Sequence, residues 1–377
     1  MPVQTEIFRA EVVGSMLRPT ELVQARRIMR AGQLPPAEFK AIEDKAVDDA
    51  LRIQEDAGID VVTDGEMRRN IFIEFLISAM EGMSMVGGTT VKFHGHSEDA
   101  AMEVDVPFSV TGKVSPRICP GVAEFEYARS KTDLPVKVTI PSPLMLPLAF
   151  WSKEQSGEAY PNPVDLARDA DAAVRGWIAE LVDAGCKYIS IDSPEMAEAY
   201  ADRSVLESYA NDAGMSPEEF LKLGADMLSD LGNVERPDDV TLGLHLCKGN
   251  GTQAWIAEGG YDALAEAAFP RLGGYDTVHF EYDDERSGGF EPLAALPDTV
   301  VAVLGLVSTK WTKMEDPAEL RARIAAAAEF HPLDRLALAP QCGFASAAET
   351  ADQRKVTAQT QADKLKLVAD VARSVWG

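Results

Sequence analysis

The chain has 377 residues, of which 46% are hydrophobic and 26% charged, so its apolar mass suffices for one large domain or two ordinary ones. Lysine and arginine total 36 against 61 for aspartate and glutamate, and the formal charge of −25 opposes binding to nucleic acid. Four scattered cysteines exclude a disulfide framework, and no apolar run approaches the roughly 20 residues of a membrane span, so we expect a cytoplasmic protein without a membrane partner.

Short β-branched apolar runs alternate with long amphipathic stretches along the chain. The predicted strands are, in chain order, residues 11–14, 60–64, 136–140, 187–192, 241–247, 277–282, 300–306 and 336–340. The predicted helices between them include residues 37–57, 163–184 and 317–330. This alternation predicts an α/β fold, a (β/α)₈ TIM barrel built as a single domain over residues 1–377, with a doubly wound open sheet as the alternative.

Residues 83–133 break this rhythm with Gly-Gly, alternating polarity and a Pro-Arg-Ile-Cys-Pro sequence. We interpret this segment as a β-rich insertion in the barrel. The last amphipathic stretch, residues 356–376, is predicted to pack on the barrel exterior. The sequence does not decide whether this helix also forms a contact in a homo-oligomer.

Polar side chains stand where several predicted strands end. His245 and Cys247 are two residues apart, so on a strand both side chains point to the same face. Glu281 and Cys342 end later strands, and the carboxyl ends of barrel strands converge on one face. One imidazole, one carboxylate and two thiolates make a tetrahedral donor set for Zn²⁺, whereas core packing is the alternative for the His-x-Cys pair alone.

The motifs VVGSMLRP, VTDGEMRRN, ISIDSPEMAE, GLHLCKGN, HFEYDDE and APQCGFAS occur in this order across nearly the whole chain. Together they resemble the catalytic C-terminal half of cobalamin-independent methionine synthase and its stand-alone bacterial relatives. The resemblance implies a zinc-containing (β/α)₈ barrel that alkylates a small thiol. The zinc ligands that it implies are His245, Cys247, Glu281 and Cys342.

The same resemblance assigns a substrate site. It implies that Glu66 and Asp192 hold the homocysteine ammonium, and that the backbone turn at Gly14 and Ser15 holds its carboxylate.

Further candidates follow from position and chemistry. Arg18 and Arg68 come just after signature motifs and are candidates for binding an anionic group, and Trp151 is a candidate for an apolar pocket wall. His279, together with the histidines at 94 and 96 in the insertion, is a candidate proton donor.

A free thiol has a pKa of about 8.5, and binding to zinc would convert it into a thiolate nucleophile. Two reactions of the family fit this chemistry: coenzyme M opening an aliphatic epoxide, and methyl transfer from 5-methyltetrahydrofolate to homocysteine. The segments AYPNP at 159–163 and ETADQ at 349–353 resemble epoxyalkane:coenzyme M transferases, and we predict that reaction on this basis. Methionine synthesis is the alternative, favoured by Glu66 and Asp192 because coenzyme M has no ammonium.

Three interpretations from other classes stay open at this point. A zinc-free barrel enzyme would use Asp64, Glu66 and Asp192 as acid and base. The other two are a non-catalytic thiol or metal carrier and a decarboxylase, the latter by fold analogy alone.

Overall fold

The structure is a computed structural model that describes residues 7–95, 102–251, 254–346 and 355–377. The strands are β1 (Met80–Ser84), β2 (Thr89–Gly95), β3 (Met102–Val106), β4 (Ser109–Pro116), β5 (Lys137–Pro141), β6 (Tyr188–Asp192), β7 (Thr241–Leu246), β8 (Ala254–Trp255), β9 (Thr277–Glu281), β10 (Val301–Val307) and β11 (Leu336–Pro340). The helices are α1 (Thr20–Arg30), α2 (Pro36–Ala57), α3 (Glu74–Ala79), α4 (Pro120–Arg129), α5 (Met145–Ala149), α6 (Lys153–Ser156), α7 (Pro163–Asp183), α8 (Pro194–Ala201), α9 (Arg203–Asp212), α10 (Pro217–Gly232), α11 (Asp262–Ala267), α12 (Pro317–Ala327) and α13 (Ala358–Trp376).

Six parallel strands form the main sheet, in the spatial order β11-β10-β9-β7-β6-β5. Every residue of these strands is buried, as expected for a parallel sheet whose two faces are both covered. Their β-branched and apolar composition therefore reflects burial on both sides of the sheet.

The first two predicted strands close this sheet into a ring, although each makes only an isolated bridge. Ala10 pairs in parallel with Leu338 of β11, and Val62 pairs in parallel with Val136 just before β5. The backbone N–H of Asp60 donates to the carbonyl of Ala10 at 2.9 Å and joins the two segments to each other. Eight parallel segments thus form the predicted (β/α)₈ barrel in place of the open-sheet alternative.

Capping and turn residues determine where the long helices α7 and α2 begin and end. Pro163 occupies the first turn of α7, where its missing N–H costs nothing, and the Asn162 side chain accepts a hydrogen bond from the N–H of Val164. Helix α2 ends at Gly58, whose φ of 79° is the left-handed conformation that glycine adopts readily. These helices match the predicted stretches to within a residue or two.

The predicted insertion, residues 83–133, is partly helical. Strands β1 and β4 pair with each other, and β2 pairs with both β3 and β8 in antiparallel fashion. Its last third forms helix α4 instead of β-structure, because Pro120 starts a run of helix formers that buries Phe125 and Ala128. The β-rich part therefore extends from β1 to the end of β4.

Helix α13 covers the predicted 356–376 stretch and buries one face against α2 and β11. Among the described residues, no helix combines the length and apolar composition needed to cross a membrane.

Candidate metal centre and substrate cavity

Three of the four predicted metal ligands form a compact buried cluster. His245 lies near the end of β7, Cys247 just after it, and Cys342 two residues beyond β11. One ligand atom from each lies within 4.8 Å of the other two, and the two sulfur atoms are 3.5 Å apart. The i, i+2 spacing on β7 and the convergence of strand ends bring this metal trio together, as predicted from the sequence.

Glu281, at the end of β9, lies beside the trio. Its Oε2 is 3.4 Å from the sulfur of Cys247. Tetrahedral zinc with Zn–S bonds of about 2.3 Å and Zn–O bonds of about 2.0 Å separates two sulfurs by roughly 3.8 Å and a sulfur from an oxygen by roughly 3.5 Å. The S–S and S–O separations agree with those values to within a few tenths of an ångström, and the thiolates, imidazole and carboxylate are donors that zinc prefers, although Glu281 lies outside the set of ligand atoms within 4.8 Å of one another.

The two cysteines differ in how readily each loses its proton. Cys247 donates a hydrogen bond to the sulfur of Cys342, which lowers the pKa of Cys342 and raises that of Cys247. Burial opposes a positive charge on His245, but Asp192 and Cys342 outweigh that effect and raise the pKa of His245 to about 9. The surroundings of His245 therefore favour a positive charge on its imidazole, and those of Cys342 favour a thiolate.

Asp192 orients the imidazole. Its Oδ1 lies 2.8 Å from Nδ1 of His245, which leaves Nε2 as the ligand atom. A carboxylate behind a histidine fixes its ring and tautomer and makes it a better metal ligand. The sequence assigned Asp192 to the substrate ammonium; the structure shows this contact with His245 and also places Asp192 on the wall of the cavity described next.

A cavity of about 440 Å³ opens above the metal trio. Its upper wall comes from the insertion, which reaches over the barrel mouth and pairs His94 with Trp255 of β8. Much of the wall is apolar, contributed by Ile71, Phe72, Ile73, Val91, Phe93, Val104, Val106, Met145, Leu148 and Ile256. We call the part of the wall formed by His245, Cys247, Cys342 and their neighbours the floor of the cavity. A polar floor below largely apolar walls suits a small polar substrate whose reacting group points at the metal trio.

Glu66 and Ser15, both predicted substrate-binding residues, also line the cavity. Glu66 has φ of 54°, a strained conformation for a residue other than glycine, and strain of this kind concentrates at functional sites. Its Oε1 accepts a hydrogen bond from Thr139, whereas its Oε2 is buried without a hydrogen-bond partner. Burial raises its pKa, with Arg69 opposing that rise. Oε2 lies 4.0 Å from the guanidinium of Arg18 and keeps the capacity to accept a hydrogen bond from a substrate donor.

Position 14 requires glycine because the Glu66 side chain lies too close for a Cβ atom. A Cβ atom at Gly14 would lie 2.6 Å from Oε1 of Glu66, closer than side-chain atoms approach. The carbonyl of Gly14 accepts from the hydroxyl of Thr63, and the carbonyl of Ser15 accepts from the N–H of Phe344. This turn therefore links the floor to the loop after β11.

Arg18 and Arg68 do not line the cavity, in contrast to the sequence-based expectation. Arg18 is fully buried and donates to the carbonyls of Arg69 at 2.7 Å and Ala345 at 2.6 Å. Arg68 points away and binds two carboxylates of α2, at 3.1 and 2.6 Å. Both guanidinium groups are engaged in holding the loops around the barrel mouth.

Trp151 and His279 also lie away from the cavity. The Trp151 indole donates to the carbonyl of Tyr160 at 2.9 Å within the core. His279 is one layer below the metal trio, where its Nε2 lies 3.1 Å from the Tyr188 hydroxyl and 3.3 Å from a carboxylate oxygen of Glu11. Burial lowers the pKa of His279 to about 4, so this geometry does not support a direct proton-donor role.

Of the other histidine candidates, His94 lines the cavity, and position 96 lies outside the described residues. The segment 349–353, which carried part of the coenzyme M resemblance, also lies outside them.

Two glutamates on α8 were not singled out from the sequence. Glu195 and Glu198 both line the cavity, and burial raises their pKa values to about 7 and about 8. The hydroxyl of Ser193 donates to Glu195 at 2.6 Å, and that of Tyr209 donates to Glu198. The sequence signal that could have identified them is the i, i+3 spacing of the two glutamates in ISIDSPEMAE, directly after a strand end.

Glu281 has strong partners of its own. Lys310 Nζ lies 2.7 Å from its Oε1, and the backbone N–H of Lys248 donates to its Oε2 at 2.9 Å. Burial would raise the pKa of this carboxyl, but Lys310 and Lys248 outweigh burial and lower it to about 2. Glu281 is therefore a carboxylate in the fold, as a metal ligand must be.

Residues 8–365 match the family model described as "Cobalamin-independent synthase, Catalytic domain". The chain belongs to the cobalamin-independent synthase family. This family is zinc-dependent, in agreement with the donor set around His245.

The chain is similar over nearly its whole length to a protein of Bacillus subtilis (strain 168) named only as uncharacterized protein YxjH. The two are 33% identical over 374 residues, which are 98% of this chain and 95% of the relative. A methionine synthase of Sulfurisphaera tokodaii is 32% identical over 189 residues, 50% of this chain and 52% of that protein. The crystal structure of a putative vitamin-B12-independent methionine synthase from Listeria monocytogenes covers 100% of both chains at 26% identity, with a TM-score of 0.68.

Proposed function

We propose that this protein is a zinc-dependent methyltransferase that transfers the methyl group of 5-methyltetrahydrofolate to the thiol of homocysteine and so forms methionine. The observation that carries this proposal is the His245, Cys247 and Cys342 trio on the wall of a cavity that Glu66 also lines, Oε2 of Glu66 having no hydrogen-bond partner. A thiol-activating metal site and an ammonium acceptor in one cavity match an amino-acid thiol.

The residues that would hold zinc are His245, Cys247, Cys342 and Glu281. When bound, zinc supplies a positive charge that lowers the pKa of the substrate thiol and keeps its sulfur as a thiolate. Asp192 holds the His245 ring in place through Nδ1.

The floor of the cavity orients the amino acid. Glu66 Oε2 accepts a hydrogen bond from the homocysteine ammonium, and Ser15 lies on the same floor to meet the carboxylate. With these two groups fixed, the thiol side chain extends toward Cys247 and Cys342.

The sulfur attacks the methyl carbon of the donor, so that an S–C bond forms as the C–N bond breaks. The electron pair of the broken bond stays on the donor nitrogen, which then takes a proton. His94 on the insertion lines the cavity and is the imidazole that we assign to this proton in place of His279. Apolar side chains of β2 and β3, Val91, Phe93, Val104 and Val106, line the cavity and reduce the access of water to the reacting atoms.

The charges in the cavity favour this reaction over the epoxide opening that the sequence suggested. Coenzyme M carries a sulfonate and no ammonium, whereas, among the described residues, the charged and acidic side chains that line the cavity are one lysine, Lys92, and five acidic residues, namely Glu66, Asp192, Glu195, Glu198 and Asp212. Arg18 and Arg68, the candidates for binding an anionic group of either substrate, are bound elsewhere. Ionised carboxylates among these groups disfavour a second anion and attract a substrate ammonium, with Glu195 and Glu198 contributing only part of their charge at neutral pH because their pKa values are about 7 and about 8.

A two-by-two assay tests this proposal. Purified protein with measured zinc content receives homocysteine or coenzyme M together with 5-methyltetrahydrofolate or epoxypropane, and the products are separated by mass spectrometry. We expect methionine from the homocysteine and methylfolate pair alone. A 2-hydroxypropyl thioether of coenzyme M as the main product would refute the proposal, as would equal methionine formation by Cys342→Ser.

A further inference from the structure

The carboxylate of Glu66 lies between two buried arginines, both beyond hydrogen-bonding distance. Nη1 of Arg69 is 3.9 Å from its Oε1, and Nη2 of Arg18 is 4.0 Å from its Oε2. An N–H···O hydrogen bond spans roughly 2.7–3.2 Å. Oε1 accepts instead from the hydroxyl of Thr139 at 2.9 Å, and Oε2 has no hydrogen-bond partner. The negative charge of Glu66 is therefore still available to a donor in the cavity.

Other acceptors hold the two arginines away from this carboxylate. Arg69 pairs with Glu124 of α4 through two hydrogen bonds, Nε to Oε1 at 3.1 Å and Nη2 to Oε2 at 2.6 Å. Arg18 donates to three backbone carbonyls at distances between 2.6 and 3.1 Å. A two-pronged pair between a guanidinium and a carboxylate is strong and directional, so Arg69 stays with Glu124.

Thr139 on β5 connects Arg69 to Glu66. Its hydroxyl oxygen accepts from Nη1 of Arg69 at 3.2 Å and donates to Oε1 of Glu66 at 2.9 Å. A hydroxyl carries one proton, and because Arg69 occupies a lone pair of the oxygen, that proton is directed at Glu66. The side chain is buried and β-branched, which restricts its rotamers. The hydroxyl thus fixes Oε1 and leaves Oε2 as the oxygen that a substrate can use.

We propose that Glu124, Arg69 and Thr139 form a positioning chain that orients the Glu66 carboxylate and preserves its charge for the substrate ammonium. This inference rests on the proposed function, because the ammonium is that of homocysteine. None of the three residues lines the cavity, so each acts through Glu66. Without the Thr139 hydroxyl, the guanidinium of Arg69 can close the gap of 3.9 Å, and the resulting ion pair competes with the substrate.

The test compares wild type with Thr139→Val, which keeps the shape of the side chain and removes the hydroxyl. Isothermal titration calorimetry on the zinc-loaded proteins measures Kd for homocysteine and for 4-mercaptobutyrate, the same thiol acid without the amino group. We expect Kd of the variant for homocysteine to rise roughly tenfold, and its Kd for 4-mercaptobutyrate to stay within about twofold, because a hydrogen bond to a charged group is lost. KM for homocysteine should rise while kcat stays nearly constant.

Controls separate this role from a structural one. Thr139→Ser keeps the hydroxyl and should restore the affinity for homocysteine, whereas Thr111→Val, at an exposed position of β4, should behave as wild type. Glu124→Gln weakens the hold on Arg69 and should also lower the affinity for homocysteine alone. In a Glu66→Gln background, Thr139→Val should cause no further loss. If Thr139→Val does not fold, Thr139→Ala and Glu124→Gln carry the same measurements.

A similar loss of affinity for both thiols in Thr139→Val, or an unchanged Kd for homocysteine, would overturn the inference. A wild type that binds both thiols equally well would overturn it too. Failure of the proposed function has a different signature. If wild type prefers homocysteine and Thr139→Val loses that preference, but wild type forms no methionine from methylfolate, the inference holds and the proposed methyl transfer is wrong.

Discussion

Replacing Glu66 by glutamine separates binding of the substrate ammonium from stability of the fold. The substitution keeps the shape of the side chain and its contact with Thr139 but removes the charge at Oε2, the atom without a hydrogen-bond partner. A hydrogen bond to a charged group contributes about 1.5–3 kcal/mol, and about 1.4 kcal/mol is a factor of ten. We therefore expect kcat/KM for homocysteine to fall roughly 10- to 150-fold.

The stability of the same variant should move in the opposite direction. Burial raises the pKa of Glu66 in the fold, so the folded state disfavours the ionised form relative to the unfolded chain. The resulting penalty is absent below the unfolded pKa of about 4.3 and grows as pH rises toward the folded pKa. Glu66→Gln removes that penalty, so its melting temperature at neutral pH should equal or exceed that of wild type and should converge with it in acid.

The assays are steady-state kinetics with varied homocysteine and thermal melts from pH 4 to pH 8. Glu319→Gln, at an exposed position of α12, is the matched control and should change neither quantity. An unchanged KM for homocysteine in Glu66→Gln would refute the assignment of Glu66 to the ammonium. A lower melting temperature at neutral pH would show that Glu66 supports the fold instead.

Three further predictions concern the same site. Cys342→Ser should lose most bound zinc and nearly all methyl transfer, because one of the two thiolates of the trio is removed; metal analysis after dialysis checks this. Asp192→Asn should weaken zinc binding by roughly 10- to 100-fold through the loss of the carboxylate behind His245, as measured by chelator competition. Arg68→Ala should leave KM for both substrates within a factor of two, because its guanidinium binds α2 and not the cavity; a larger rise in either KM would argue for a direct contact.

The barrel and the metal trio could be predicted from the sequence because each depends on a backbone rule. Period-two spacing puts His245 and Cys247 on one strand face, and parallel strands bring their carboxyl ends to one side of the sheet, where Cys342 also lies. Neither rule requires knowledge of where a long side chain points. For this reason residues almost a hundred positions apart could be assigned to one site.

Depth along a strand was the first feature that the sequence did not fix. His279 shares its strand face with Glu281 but precedes it by two residues, which at a rise of about 3.3 Å per residue places it roughly 7 Å deeper in the barrel. At that depth it meets Glu11 and Tyr188 instead of substrate. A position two residues earlier on a strand belongs to the next layer of the barrel interior, so a shared face does not imply a shared site.

The direction of long cationic side chains was the second feature that could not be predicted from the sequence. Arg68 and Lys310 both follow polar turns near the barrel mouth, yet Arg68 turns outward to the carboxylates of α2 and Lys310 turns inward to Glu281. The choice depends on which carboxylate the folded backbone places within reach, and that is a tertiary property. The lysine that pairs with the predicted metal ligand Glu281 is therefore one that no signature motif marks.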